Sequence, residues 1–85
     1  MTRKINHAGN IQLGGFCKAI LENKPVRIYG IQNYSEDYDV IYNYEPKYNI
    51  YVGNYSDYSI FKPEELIARY IDSIYNLIYT FEIIA

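Results

Sequence analysis

Residues 38–52 read YDVIYNYEPKYNIYV, and this stretch decides the fold. On both sides of Glu45 and Pro46, apolar or aromatic side chains occupy every second position, and polar residues fill most of the positions between them. A period of two with β-branched and aromatic residues is typical of β-strands. Because the break at Glu45 and Pro46 is short enough for a hairpin, we expect residues 38–44 and 47–52 to pair antiparallel.

The segment before this hairpin contains one further strand and one ambiguous element. Val26–Ile31 is rich in β-branched residues, and Glu22–Pro25 has the composition of a turn. Phe16–Leu21 is then the partner strand of a second hairpin or part of a short helix over Gly15–Glu22, and propensity does not choose between them. Residues 1–15 have no sustained period and contain three glycines, so we expect a loosely ordered arm.

The segment after the hairpin carries the pattern of an amphipathic helix. Pro63 suits a first helical position, and Glu64 and Glu65 place negative charge at the positive end of the helix dipole. At 100° per residue, apolar side chains fall on one arc and polar ones on the other. We therefore predict a helix from Pro63 to about Phe81. The arc comprises Leu66, Ile67, Tyr70, Ile71, Ile74, Leu77, Ile78 and Phe81.

The fold class that follows is α+β, in a single domain over residues 1–85 with an arm (1–15), a strand-rich part (16–58) and a helix (63–81). We expect a small antiparallel sheet of three or four strands in meander order, with one long amphipathic C-terminal helix packed on one face. Which face the helix covers stays open, and either choice leaves surplus apolar area. The alternation assigns Val26, Ile28, Val40, Tyr42, Ile50 and Val52 to one face and Tyr29, Ile31, Ile41 and Tyr51 to the other.

Groups suited to catalysis or metal binding are few. His7 is the single histidine, and Cys17 has no neighbouring histidine to activate it. Asp37 and Asp39 could bind a hard cation, but the calcium-loop pattern is absent, and the glycines fit no phosphate-binding motif. We expect no catalytic residue, metal or cofactor, and therefore not an enzyme.

The sequence contains no recognisable secretory or membrane-spanning segment. The N-terminal residues lack the apolar run of a secretory signal, and charges interrupt the apolar C-terminal segment, so we expect no membrane span. A single cysteine excludes an internal disulfide. A cytoplasmic location is the resulting expectation.

Tyrosine dominates the remaining chemistry. The chain holds twelve tyrosines and no tryptophan, and two turns, NYSEDY at 33–38 and NYSDY at 54–58, combine tyrosine with acids. Tyrosine is enriched in interfaces because its ring gains from burial while its hydroxyl keeps a polar partner. We expect these turns to bind a protein, one with a basic groove. The candidate partner-binding residues are Tyr34, Glu36, Asp37, Tyr38, Tyr55, Asp57 and Tyr58, with Tyr29 and Tyr51.

By analogy of size and composition alone, such a domain is typical of inhibitors encoded by phages and mobile elements, including anti-CRISPR and other anti-defence proteins. Two alternatives stay open. The surplus sheet face could pair with a second copy to form a homodimer. The basic N-terminal part, with Arg3, Lys4, Lys18, Lys24 and Arg27, could bind nucleic acid, whereas the acidic middle of the chain disfavours such binding there.

Overall fold

An antiparallel sheet of five strands forms the scaffold in a computed structural model that describes residues 7–32, 36–55 and 59–84. The sheet order is β4-β3-β2-β1-β5, so the first four strands form a meander and the last returns to pair with β1. The predicted α+β class is confirmed, but the described residues contain more strands and helices than predicted. The elements are α1 (His7–Leu21), β1 (Val26–Gly30), β2 (Asp39–Glu45), β3 (Ile50–Gly53), β4 (Ile60–Phe61), α2 (Pro63–Tyr75) and β5 (Tyr79–Ile83).

The central hairpin forms as predicted from residues 38–52. Strands β2 and β3 pair antiparallel with Tyr44 opposite Tyr51, and residues 46–49 form the turn. Asn49 ends this turn in the left-handed region at φ 53°, a conformation that asparagine tolerates better than most residues. The turn therefore fixes which side chains of β3 face the core.

The predicted faces are right for β1 and β2 and wrong for β3. Val26, Ile28, Val40 and Tyr42 all point into the core, but their neighbour on β3 is Tyr51. The register places Val52 opposite Asn43 on the other face. Since a shift of one residue moves every side chain of a strand to the opposite face, this single error misplaces the whole strand.

The N-terminal segment is a helix, which corrects both the loosely ordered arm over residues 7–15 and the hairpin strand over Phe16–Leu21. Apolar side chains at Leu13, Phe16 and Ile20 recur at spacings of three and four and pack into the core. Packing of this face outweighs the poor helix propensity of the glycines in α1, as tertiary contacts commonly do. Residues 1–6 of the predicted arm lie outside the described residues.

Helix α1 ends in a Schellman motif at Asn23, which has φ 61°. The amide of Asn23 donates to the carbonyl of Ile20, and the amide of Lys24 donates to that of Ala19, both at 3.0 Å. Pro25 follows directly and cannot continue the helix. The helical alternative for this segment is the correct one.

Helix α2 begins at Pro63 as predicted and ends at Tyr75, so the predicted continuation to Phe81 is wrong. A second Schellman motif closes it, with Leu77 at φ 59° and its amide bonded to the carbonyl of Ile74 at 3.1 Å. The side chain of Gln32 donates to the carbonyl of Leu77 at 2.9 Å. Leucine rarely adopts a left-handed conformation, so the sequence carried little warning of this stop.

Residues 79–83 form β5 instead of a last helical turn. This strand pairs with β1 with Ile28 opposite Phe81, and the Phe81 ring contacts Phe16 at a centroid distance of 5.6 Å. Both helices pack on the face that carries Val26 and Ile28. The fully or almost fully buried hydrophobic core consists of Phe16, Ala19, Ile20, Val26, Ile28, Val40, Tyr42, Tyr51, Leu66, Tyr70 and Ile74. Within the described ranges, no helix has the length and apolar character needed to cross a membrane.

Candidate functional site

The described residues of the two tyrosine-containing stretches, 36–38 and 54–55, lie together at one end of the β2–β3 hairpin. The turn over residues 46–49 closes the other end of the β2–β3 hairpin, so the residues before β2 and after β3 lie close together. The rings of Tyr38 and Tyr55 accordingly contact each other at a centroid distance of 5.7 Å. We call the surface formed by Glu36, Asp37, Tyr38 and Tyr55 the tyrosine end.

A cleft of about 320 Å³ opens at the tyrosine end, between the sheet and α2. Its size is at the lower limit for ligand pockets, which span about 300–1,000 Å³. The cleft continues past Phe61 and Arg69 into a shallow depression beside the edge strand β4. Its lining residues are Tyr38, Tyr42, Tyr55, Ser59, Phe61, Arg69 and Tyr70.

Three tyrosine hydroxyls form a chain at the inner wall of this cleft. The hydroxyl of Tyr70 bonds to that of Tyr42, with the oxygens 2.6 Å apart, and also to the hydroxyl of Tyr38. Burial raises the pKa of Tyr42 to about 12 and, together with the bonds to its two neighbours, raises the pKa of Tyr70 further. Tyr42 and Tyr70 are therefore neutral at physiological pH, and their hydroxyls act as hydrogen-bond donors and acceptors.

Arg69 supplies positive charge at the rim of the cleft. Its guanidinium lies 5.4 Å from the centroid of the Tyr70 ring, and its side chain is exposed. Among the described residues no carboxylate forms an ion pair with Arg69. The arrangement combines a cation, neutral hydroxyls and aromatic walls.

The acids at the tyrosine end differ in their surroundings. Glu36 and Asp37 are exposed in the turn before β2. Asp39, two residues further on, instead forms a bidentate pair with Arg27 at 2.8 Å, and these bonds hold its pKa below the usual range. Because the Asp39 carboxylate is already bound by a guanidinium, it is poorly suited to bind the hard cation that the sequence analysis considered for Asp37 and Asp39.

The remaining predicted partner-binding residues have four different outcomes. Tyr55 is 66% exposed, and Tyr38 is half-buried, with its ring stacked on Tyr79 at 4.5 Å. Tyr51 is wrong as a surface residue, because it is fully buried and its hydroxyl donates to the carbonyl of Lys24 at 2.9 Å. Tyr29 is half-buried on the opposite side of the sheet under the guanidinium of Arg27. Tyr34, Asp57 and Tyr58 lie outside the described residues.

The sheet face opposite the helices, here called the open face, is a second exposed surface. It carries Val52 and Ile60, which are 41% and 53% exposed and lie opposite each other on β3 and β4. On β1, which strand β2 separates from β3, Arg27 bridges Asp39 and Glu82 on the same face, with both contacts at 2.8 Å. No element in the described ranges forms a layer over this face.

The basic residues considered for nucleic-acid binding do not form one free patch in the described part of the chain. Lys18 and Lys24 are exposed, but Arg27 has its charge compensated by two carboxylates. Compensated charges release few counterions on binding a polyanion. Arg3 and Lys4 lie outside the described residues.

Sequence reasoning missed several residues of the cleft. Tyr70 was expected in the apolar arc of α2, and Arg69 was expected on its polar side, but neither pattern indicates that the two line a cleft. A buried tyrosine hydroxyl requires a polar partner, and this was the available signal for Tyr42 and Tyr70. The pairing itself depends on how α2 crosses the sheet, which the sequence does not specify.

Comparisons with protein-family models, with curated proteins and with solved structures gave no match for this chain.

Proposed function

We propose that this protein is a non-enzymatic binding module that docks on another protein through the tyrosine end. The observation that supports this most is the contact between the rings of Tyr38 and Tyr55, which come from two separate tyrosine- and acid-containing stretches of the sequence and lie beside the exposed Glu36 and Asp37. Large aromatic side chains at an exposed site are the residues that most often dominate protein–protein binding energy. The tyrosine end therefore has the composition of an interface.

The rigidity of Tyr38 favours tight docking. Its ring contacts those of Tyr55 and Tyr79, and its hydroxyl bonds to that of Tyr70. A side chain that is already ordered loses little conformational entropy on binding, whereas ordering a free rotamer-rich side chain costs about 0.5–1.5 kcal/mol. Tyr55 thus presents its exposed ring against a fixed support.

The charge of the tyrosine end indicates the kind of partner. Glu36 and Asp37 are exposed, and neither forms an ion pair with a described residue. A basic groove on the partner would complement these carboxylates, and such complementarity raises the association rate most strongly at low salt. By occupying that groove the protein would act as an inhibitor. An origin in a phage or mobile element, as for anti-CRISPR and other anti-defence proteins, is the part of the proposal that rests on size and composition.

The test compares two exposed tyrosines at opposite ends of the β2–β3 hairpin. Tyr55 is 66% exposed at the tyrosine end, and Tyr48 is 64% exposed in the hairpin turn. Affinity purification from the native host followed by mass spectrometry identifies partners of the wild type. The triple variant Glu36→Gln, Asp37→Asn, Tyr55→Ser should lose the specific partner, while the control Tyr48→Ser should retain it.

A binding measurement on the purified partner completes the test. The affinity should fall as salt is raised, because exposed charges are screened within about 8 Å at physiological ionic strength. Equal affinity of the wild type and the triple variant, with both folded by circular dichroism, would show that the tyrosine end is not the docking surface.

The open face supports a second candidate function, self-association as a homodimer. Val52 and Ile60 are adjacent and exposed on a sheet face with no covering layer in the described ranges. Light scattering after gel filtration should then show a dimer for the wild type and a monomer for Val52→Lys, Ile60→Lys. A wild type that is monomeric at high micromolar concentration excludes this candidate.

A further inference from the structure

We infer that the cleft beside the tyrosine end is a binding site for a small carboxylate attached to a single ring, which is a ligand class separate from the proposed protein partner. Three features of the cleft carry this inference: a spare hydroxyl proton, the charge of Arg69 and the aromatic walls.

The three linked tyrosine hydroxyls have one more proton than the hydrogen bonds between them use. Tyr38, Tyr70 and Tyr42 carry three hydroxyl protons, but only two hydrogen bonds join them. If both outer hydroxyls donated to Tyr70, the proton of this fully buried residue would have no described acceptor, an arrangement that burial makes costly. Tyr70 therefore donates to one neighbour and accepts from the other.

Consequently, the hydroxyl of either Tyr38 or Tyr42 has a proton that no other hydroxyl of this network accepts, so it can donate to an acceptor in the cleft. Both residues line the cleft, and among the described residues neither hydroxyl has a further acceptor. The inner wall of the cleft thus offers one O–H donor to water or to a ligand oxygen.

Arg69 selects an anionic acceptor over a neutral one. Its guanidinium lines the same cleft as the hydroxyl chain and has no ion-pair partner in the described residues. A guanidinium binds a carboxylate through charge-assisted bonds that are roughly twice as strong as neutral ones. Glu65, one turn earlier on α2, has its carboxylate engaged by the backbone amide of Lys62 at 2.9 Å.

The surrounding acids favour a carboxylate over a phosphate. Glu36 and Asp37 directly precede Tyr38 in the chain and are exposed, so they oppose a doubly charged ligand more than a singly charged one. The rings of Tyr55 and Phe61 line the cleft, and the flat face of an aromatic side chain suits packing against a ring of the ligand. A volume of about 320 Å³ limits the ligand to roughly one ring with its carboxylate.

The experiment is a titration of the folded, isotopically labelled protein, followed by amide chemical shifts. Benzoate is the probe, benzamide is its neutral counterpart, and inorganic phosphate is the competing anion. We expect saturable shifts around the cleft with benzoate, with a dissociation constant on the order of 1 mM, and at least about tenfold weaker binding of benzamide and phosphate.

Two variants locate the site. Arg69→Gln removes the exposed cation of the cleft and should weaken benzoate binding about tenfold or more. Lys47→Gln removes an exposed cation from the hairpin turn at the other end and should leave binding unchanged. The spectra also report whether each variant is folded.

The inference is overturned by any of three results. These are the absence of saturable shifts with benzoate, equal binding of benzoate and benzamide, or undiminished binding by a folded Arg69→Gln variant. Since neither Arg69→Gln nor the benzoate titration involves a protein partner, these outcomes are independent of whether the tyrosine end docks on one.

Discussion

Raising the pH should unfold this protein between about pH 10 and pH 12, because buried tyrosines must stay protonated for the fold to persist. A tyrosine in an unfolded chain has a pKa near 10. In the folded protein burial raises the pKa of Tyr42 and of Tyr51 to about 12, and the pKa of Tyr70 is raised as well. Below pH 10 both states hold these protons and the stabilising contribution is complete. Above it, the unfolded chain releases protons that the folded chain retains, so stability falls as pH rises through this window.

The magnitude follows from the same values. The difference between a pKa of about 10 in the unfolded chain and about 12 in the folded protein corresponds to roughly 2.7 kcal/mol of stability for each of Tyr42 and Tyr51, or about 5 kcal/mol together. A domain of 85 residues has a free energy of unfolding of about 4–13 kcal/mol, so the loss is comparable with the whole margin. Tyr70 acts in the same direction and adds to the effect.

The assay follows far-ultraviolet circular dichroism and tyrosinate absorbance over the same pH series. We expect the helical signal to disappear in a single transition while the buried rings ionise. In the variant Tyr51→Phe the decline in stability over this window should be smaller by roughly 2.7 kcal/mol. If the wild type keeps an unchanged free energy of unfolding well above pH 12, or forms all of its tyrosinate while still folded, the burial of these hydroxyls is refuted.

Four substitutions test the packing by urea unfolding at neutral pH. Gly53→Ala should lower the free energy of unfolding by about 1–3 kcal/mol, because the added Cβ would lie 2.7 Å from Cε1 of the buried Tyr42 ring; no measurable loss would contradict the position of that ring. Gly14→Ala, an exposed helical site with nothing within 4 Å of the added Cβ, should raise it by roughly 0.5–1 kcal/mol, and a decrease would argue against a helix there. Leu77→Gly should raise the free energy of unfolding by up to about 1 kcal/mol, because glycine adopts the left-handed backbone conformation without strain. The apolar contacts of the leucine side chain are lost, which reduces this gain. A clear destabilisation would show that those contacts contribute more than the backbone strain costs. Tyr51→Phe should lower the free energy of unfolding by about 1 kcal/mol, since the Tyr51 hydroxyl bonds to the carbonyl of Ile20 in the last turn of α1 and to that of Lys24 just after it. An unchanged unfolding midpoint would show that these bonds do not stabilise the fold.

Local patterns predicted the parts of the fold that local chemistry determines. The β2–β3 hairpin and the start of α2 at Pro63 follow from a period of two and from helix-start signals, and both form where expected. The end of α2 did not follow, because the chain stops the helix at Leu77, a residue with no intrinsic preference for that conformation. The side-chain pattern of residues 79–83 fits both a strand and the apolar arc of a longer helix, so the sequence did not distinguish β5 from a continuation of α2.

The candidate site was predictable only in part, for a geometrical reason. The two tyrosine-containing stretches were evident in the sequence, and the contact of Tyr38 with Tyr55 follows from the closed hairpin between them. The inward direction of Tyr51, by contrast, depends on a four-residue turn that sets the parity of β3. Arg69 and the hydroxyl chain depend on the crossing of α2 over the sheet, which is a tertiary property.

The pairing of β5 with β1 makes the topology strongly non-local. The bond between Arg27 and Glu82 joins residues 55 positions apart, and closing a loop of that length costs roughly 3.5 kcal/mol of chain entropy before any contact compensates for it. Domains with such distant pairings fold slowly compared with helical bundles of similar size. The backbone groups of β1 that pair with β5 therefore lack their strand partner through much of the folding reaction. We expect the rate-limiting barrier to involve the docking of residues 79–83 against β1.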